Sequence, residues 1–200
     1  MGETVRMPDN PRGVSMRSAE LVVLLDEQGN EVGTAPKATV HTDNTPLHRA
    51  FSCYLFDARG RLLLTRRADT KATFPGVWTN SVCGHPAPGE SDPAAIVRRA
   101  GHELQLTVAS ITVALPDFRY RASSGGVVEN EICPVYLART DGEPHPEPSE
   151  VEDHEWCRWP DFVTRLGAAP QLFSPWCQGQ TAQLEAADAV GRYLLGPGRP

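Results

Sequence analysis

The chain has 200 residues and a formal net charge of −6 at pH 7, and 40% of its residues are hydrophobic. This length suffices for one domain with a substantial core, and we expect a single domain over residues 19–197. The acidic balance argues against a nucleic-acid or membrane-surface partner, because sequence-independent binding of either kind needs a basic face. Any anionic ligand must therefore be bound by a local group of cations.

The cysteines and the N-terminal segment bear on the cellular compartment. Five cysteines show no CxxC pair and no short disulfide-like spacing, which favours a reducing environment. The N-terminus lacks an apolar leader, and no run approaches the ~20 apolar residues needed to cross a bilayer. Residues 1–18 are polar and aperiodic, which predicts a mobile tail. We expect a cytoplasmic protein, acting as a monomer on a small molecule.

The segment FPGVWTNSVCGHPAPGE, residues 74–90, places a thiol and an imidazole two residues apart among glycines and prolines. If residues 80–84 are extended, Cys83 and His85 project to the same side and can face one pocket. The alternative is a buried cysteine beside a surface histidine in a proline-rich loop.

Apolar runs separated by turn residues predict two hairpins in the first third of the chain. The first joins residues 21–26 to 31–35, and the second joins residues 50–57 to 61–68 through the turn ARG. The second hairpin ends in Arg66 and Arg67, which form a basic cluster with Lys71 in this acidic chain. Such residues either form a solvated edge or bind a phosphate group.

Three further strand segments are predicted, over residues 110–122 with an interruption at Pro116, over 127–138 and over 150–159. In the second of these, period-2 alternation puts Glu129 and Glu131 on one face among apolar neighbours. Buried carboxylates at such positions are costly unless they are paired or bound to a metal. The alternative is a solvated edge strand, which the proline at position 134 would suit.

A helix is predicted over residues 93–106, capped by Ser91 or Asp92. Its helical periodicity predicts an inward-facing stripe made of Val97, Ala100, Gly101 and Leu104. Arg99 and Glu103 share the neighbouring face, either as a weak surface ion pair or as one phosphate contact and one metal ligand.

Two more helices, over residues 160–166 and 176–195, are predicted to close the domain. Trp176 lies where a loop meets the second of them, so its ring belongs to the core or forms a wall of a pocket.

Histidines and carboxylates from distant segments make a metal site possible. His41 and His48 lie in a loop, and they could be joined by His85, Glu129 and Glu131. Imidazole and carboxylate ligands suit a divalent transition metal such as manganese, zinc or iron.

Several of these segments resemble a known family. GHPAPGE at residues 84–90, followed by RRAGHEL at 98–104, resembles a degenerate Nudix box. The wider match is to the type I isopentenyl-diphosphate isomerases. It rests on KATVHTDNTPLHRAFS, TRRADTKATFPGVWTNSVCGHP, DFRYRAS, VENEICPVY and FSPW, in this order over residues 20–178.

The resemblance implies an α/β (α+β) fold, a Nudix-like mixed β-sheet flanked by helices, and a substrate of the isoprenoid diphosphate class. It places Cys83 and Glu131 on opposite faces of the alkene, Tyr120 beside the glutamate and Trp176 against the hydrocarbon. The diphosphate would be bound by Lys37, Arg67, Lys71 and Arg99. A first metal, Mn²⁺ or Zn²⁺, would be bound by His41, His48, His85, Glu129 and Glu131. A Mg²⁺ ion on the diphosphate would be bound by Glu103 and the backbone carbonyl of Cys83.

The chain departs from a hydrolytic Nudix helix, which carries a run of acids that gather metals for attack by water. Only Glu103 of that run is present, and Gln105 replaces the last glycine. This argues against phosphohydrolase chemistry. A Nudix pyrophosphatase, which would release phosphate, and a metal-stabilised binding module without turnover are the alternatives.

Overall fold

The structure, a computed structural model, describes residues 20–196, so the predicted tail over 1–18 lies outside the described residues. The strands in chain order are β1 (Leu21–Leu25), β2 (Glu31–Pro36), β3 (His48–Arg49), β4 (Phe51–Phe56), β5 (Arg61–Arg67), β6 (Trp78–Thr79), β7 (Val82–Gly84), β8 (Thr107–Leu115), β9 (Arg119–Ser124), β10 (Val127–Ile132), β11 (Val135–Asp141) and β12 (Val151–Arg158). The helices are α1 (Lys37–Val40), α2 (Asp92–Leu104), α3 (Trp159–Ala168), α4 (Pro175–Ala186) and α5 (Ala189–Leu195), with a 3₁₀ turn at Pro170–Leu172.

The strands form two mixed sheets, as the α+β prediction requires. The smaller sheet has the order β2-β1-β3-β10-β9, and the larger has the order β12-β5-β4-β11-β8 with β6 beside β5 and β7 beside β4. Parallel pairing occurs between β3 and β10 in one sheet and between β4 and β11 in the other. Both predicted N-terminal hairpins are present.

The prediction of one strand over 127–138 is wrong, because this segment passes from the smaller sheet to the larger at Pro134. Proline has no N–H to donate, so a ladder is readily interrupted there. The chain from β3 to β4 also passes from the smaller sheet to the larger, beside this segment. Ala50 N donates to Ile132 O at 2.9 Å, and Ser52 N donates to Pro134 O at 3.1 Å. Two adjacent crossings therefore join the sheets.

Helix α2 begins as predicted but presents a different face to the core. The Ser91 side chain accepts a hydrogen bond from Ala94 N, and the helix ends at Leu104 because Gln105 adopts a left-handed conformation (φ 55°). The prediction that this face points inward is wrong for two of its four residues, because Val97 is 46% exposed and Gly101 is also exposed. The buried face is rotated toward Ala95, Ile96, Arg99, Ala100, Glu103 and Leu104.

The C-terminal helix predicted over 176–195 is in fact two helices, α4 and α5. The break lies at Asp188, whose φ of 45° cannot continue a right-handed helix. Within residues 20–196, every helix is too short or too polar to span a bilayer.

The core lies on both faces of the larger sheet. Alternating residues of β4 and β5 pack against α2 on one face, with Phe51, Leu55, Leu63, Ile96 and Leu104 fully buried. The other face packs against α3 and α4 through Tyr54, Phe56, Leu64, Phe162 and Leu184. Sandwiching this sheet between helices fixes the position of β7 and the N-terminus of α4, which both reach the site.

We expect Gly101→Ala to raise the free energy of unfolding by about 1 kcal/mol, because glycine in a helix interior costs about that amount relative to alanine. A Cβ atom at this position meets nothing within 4 Å. Urea denaturation followed by circular dichroism measures the change.

Gly84→Ala is the matched comparison. Its Cβ would lie 3.0 Å from Arg99 Cγ and 3.2 Å from the buried ring of Phe51, so this variant should be less stable than the parent. Stabilisation by both substitutions, or by neither, would contradict the described packing around α2.

Candidate active site

A cavity of about 590 Å³ opens at the junction between the two sheets, within the size range of small-ligand sites. Its walls come from α1, β5, β7, α2, β9, β10 and the start of α4. Every site residue implied by the family resemblance lines this cavity except His48, which is fully buried. Lys37 and Trp176, which are 139 positions apart in the sequence, therefore line one cavity.

Three imidazoles and one carboxylate converge at one end of the cavity. His41, His48, His85 and Glu131, here called the imidazole cluster, each offer one ligand atom, and these atoms all lie within 4.8 Å of one another. Glu131 Oε1 lies 3.0 Å from His85 Nε2 and 3.4 Å from His48 Nε2. The register explains the approach, because His48 on β3 is paired with Glu131 on β10.

The tautomer of His48 is set by its backbone contact. His48 Nδ1 lies 2.9 Å from Pro46 O, an acceptor, so Nδ1 carries a proton and Nε2 faces the cluster. A histidine whose outer nitrogen is bound to a carbonyl is the usual arrangement of a metal ligand.

Glu129 extends the cluster. Its Oε2 lies 3.2 Å from His41 Nε2, and neither of these buried atoms has a hydrogen-bond partner within residues 20–196. Buried polar atoms left unpaired at this distance are what a bound cation would satisfy. The donor set of imidazoles and carboxylates fits a divalent transition metal.

The charge states agree with such a role. Burial by itself raises the pKa of the Glu131 carboxyl, but its contacts with His48 and His85 outweigh burial and hold the pKa well below its usual range. Burial lowers the pKa of His85 below the ordinary value for histidine. Burial also acts to lower the pKa of His48, but its contacts with Glu131 outweigh burial and raise it, so a bound cation would have to displace a proton there. A carboxylate and a neutral imidazole are the forms that ligate metals.

Cys83 enters the same cavity from β7 in the larger sheet. Its Sγ donates to Asn80 Oδ1 at 3.1 Å and lies 3.4 Å from Ser52 Oγ. The Asn80 amide is oriented by two donations from Nδ2, to Cys53 O at 3.1 Å and to Val82 O at 3.0 Å. Burial raises the pKa of the Cys83 thiol to about 11, although the contacts with Ser52 and Asn80 lower it in part. The thiol is therefore protonated at neutral pH.

Aromatic rings form another part of the cavity wall. Trp176, at the first turn of α4, is buried, and its ring centroid lies 5.5 Å from that of Tyr120. Tyr120 on β9 is paired in register with Glu131 on β10. The guanidinium carbon of Arg67 lies 5.4 Å from the Trp176 ring centroid.

Four cations also line the cavity, Lys37, Arg67, Lys71 and Arg99, and they are here called the cationic end. The carboxylate of Glu150 bridges two of them, binding Lys71 Nζ through Oε2 and lying 3.2 Å from Arg99 Nη2 through Oε1. Although burial opposes ionisation, these contacts lower the pKa of Glu150 to about 2. The Arg99–Glu103 pair is buried, so the interpretation as a surface ion pair is wrong.

Sequence reasoning missed several residues at this site. The cavity lining also includes Ser52, Thr73, Asn80 and Glu150, and each of them contacts a residue predicted for the site. They lie in loops or in an apolar strand, where hydroxyl, amide and acidic side chains are common, so the sequence offers no signal that distinguishes them. Arg66, grouped with Arg67 in the sequence, instead pairs with Asp69 and Glu152 outside the cavity lining.

Comparison with known proteins identifies the family. Residues 46–177 match the NUDIX domain. The chain is 57% identical to the isopentenyl-diphosphate Delta-isomerase of Saccharopolyspora erythraea, over 82% of this chain and 86% of that protein. It is 52% identical to the protein of the same name from Frankia alni, over 96% of this chain and 99% of that protein.

Solved structures support the fold. A Deinococcus radiodurans protein matches with a TM-score of 0.57 at 23% identity, covering 74% of this chain and 90% of that one. The MutT protein of Methanosarcina mazei matches with a TM-score of 0.57 at 15% identity, covering 72% of this chain and 96% of that one. The chain has a Nudix fold and belongs to the isopentenyl-diphosphate Delta-isomerases.

Proposed function

We propose that this cavity interconverts isopentenyl and dimethylallyl diphosphate, with Cys83 and Glu131 as the two proton-transfer groups. The observation that carries the proposal is that these side chains enter one cavity from different sheets, β7 in the larger and β10 in the smaller. A flat five-carbon alkene between them would present one face to each. Protonation on one face and deprotonation on the other then need no movement of the substrate.

The reaction adds one proton and removes another. A proton joins the terminal alkene carbon, which becomes a methyl group and leaves a tertiary cation at the neighbouring carbon. The carbon on the diphosphate side then loses a proton, and the electrons of that C–H bond form the new double bond. Composition and charge are unchanged overall, so no oxidant or reductant is needed.

The cation must be protected from water, and the aromatic wall serves this purpose. The rings of Trp176 and Tyr120 line the same cavity as both proton-transfer groups, and an aromatic face attracts a positive charge within about 6 Å of its centroid. Trp176 is buried, which helps to keep bulk water from the reacting carbons.

The cationic end provides binding energy away from the reacting carbons. Lys37, Arg67, Lys71 and Arg99 suit a diphosphate, because charge-assisted hydrogen bonds from such groups hold phosphate oxygens firmly. The acids of a hydrolytic Nudix helix are missing. Of the acids within α2, Asp92 is bound to Arg49 and Tyr136, which leaves Glu103 to face the cavity.

Two divalent cations belong to this proposal. The imidazole cluster with Glu129 would bind Mn²⁺ or Zn²⁺, and Glu103 with the backbone carbonyl of Cys83 would bind Mg²⁺ on the diphosphate. When bound, these ions supply positive charge that fixes the Glu131 carboxylate and offsets the charge of the diphosphate. We also propose a monomer in the reducing cytoplasm, since catalysis needs Cys83 as a free thiol, the form it has here.

Incubation with isopentenyl diphosphate and Mg²⁺ in deuterated water tests the reaction. We expect dimethylallyl diphosphate with deuterium in a methyl group, observed by NMR, because the added proton comes from solvent. Release of inorganic phosphate would indicate a hydrolase, and unchanged substrate from a folded, metal-loaded sample would indicate a binding module.

Glu131→Gln should lower kcat by about a thousandfold, because a proton-transfer group of this kind contributes about 10² to 10⁴. The KM for isopentenyl diphosphate should change little, since the cationic end is unaltered. Glu27→Gln, at an exposed acid paired with Arg119, is the matched control and should keep parent kinetics. A rise in KM as large as the fall in kcat would contradict the proposed role.

Lys71→Gln should raise the KM by about ten- to a hundredfold with a smaller effect on kcat, because a hydrogen bond to a charged group contributes about 1.5–3 kcal/mol. Arg66→Gln removes a cation five residues away that points out of the cavity. Steady-state kinetics at fixed ionic strength compares the KM values of the two variants, and Arg66→Gln should keep a KM close to that of the parent. Equal effects of both substitutions would mean that general charge, rather than the described site, attracts the diphosphate.

A further inference from the structure

The loop between β5 and β6 folds back on Arg67. Arg67 N donates to Val77 O at 2.9 Å, and Gly76 N donates to Arg67 O at 3.1 Å. The Arg67 side chain binds the same loop from inside, with Nη2 2.8 Å from Thr73 O and Nε 3.1 Å from Phe74 O. This arrangement holds Thr73, which is buried, at the edge of the cavity.

The hydroxyl group of Thr73 makes a directed contact with Glu129. Thr73 Oγ1 donates to Glu129 Oε1 at 2.5 Å. Arg67 Nη2 lies 3.3 Å from the same hydroxyl oxygen, and a guanidinium can only donate. The lone pair of the hydroxyl therefore faces Arg67, and its proton faces the carboxylate.

The two carboxylate oxygens of Glu129 therefore differ in their hydrogen bonding. Oε1 is engaged by Thr73, whereas Oε2 is turned toward His41 Nε2 at 3.2 Å, where both atoms lack a hydrogen-bond partner within residues 20–196. A carboxylate with one oxygen fixed and the other free is prepared to bind a cation through a single oxygen. Removing the hydroxyl would leave Oε1 buried and unpaired, and the carboxylate free to rotate.

We propose that Thr73 is a positioning residue that orients Glu129 as a ligand of the metal at the imidazole cluster. This inference rests on the metal site of the proposed function. Through Arg67, which lines the cationic end, the same contacts join the diphosphate end of the cavity to the metal end. Outer hydrogen-bond partners of this kind typically change metal affinity by 10- to 100-fold when they are removed.

The test is the affinity for Co²⁺, followed by its visible absorption after the protein has been stripped with a chelator. Thr73→Val keeps the size of the side chain and removes the hydroxyl, and we expect it to weaken Co²⁺ binding at least tenfold and to alter the absorption bands. Thr73→Ser keeps the hydroxyl and should restore affinity to within about threefold of the parent. Should Thr73→Val fail to fold, Thr73→Ala compared with Thr73→Ser answers the same question.

Thr181→Val is the control. Thr181 is also a buried threonine, but its hydroxyl donates to Cys177 O within α4 and does not line the cavity, so Co²⁺ binding should be unchanged. Parent-like Co²⁺ affinity and spectrum in Thr73→Val would overturn the inference, even if its melting temperature fell. Parent protein that binds no Co²⁺ would instead overturn the metal site of the proposed function, and with it this inference.

Discussion

The cost of burying Glu129 and Glu131 is the constraint on which the rest of the site depends. Each carboxylate is 6% exposed, and a charge at that depth persists only with compensating partners. The imidazoles of His48 and His85 lie beside Glu131. A threonine hydroxyl and the His41 imidazole lie beside Glu129. The imidazole cluster therefore both permits the buried charge and presents it to a cation.

The two sheets give the cavity its two-sided chemistry. At the junction where both crossings occur, β10 carries acids on one side and β7 carries the thiol on the other. A single flat sheet would place such groups side by side on one face, which suits metal binding but cannot enclose an alkene. The proline at position 134, which ends β10 without a ladder donor, is thus part of the geometry of the site.

The cavity combines charged and aromatic regions. Four cations and the Glu150 bridge line it together with the rings of Trp176 and Tyr120. Such a lining suits an amphipathic substrate with a diphosphate head and a short hydrocarbon tail. Arg67 touches both regions, since it lies over Trp176 and binds the loop that contacts Glu129. Binding at the head is thereby connected to order at the metal end.

Sequence alone determined the element types, the hairpins, the residues that converge on the site and the family, because periodicity, turn chemistry and several ordered motifs are local properties of the chain. It did not determine the break at Pro134, the face that α2 buries or the division between α4 and α5. Those depend on which partners surround each element: Arg99 and Glu103 could face inward only because the cavity supplies Glu150 and a polar lining. The roles of Thr73, Asn80 and Glu150 could likewise not be predicted from the sequence. A hydroxyl, an amide or an acid in a loop acquires a specific role only through the atoms that the tertiary fold places beside it.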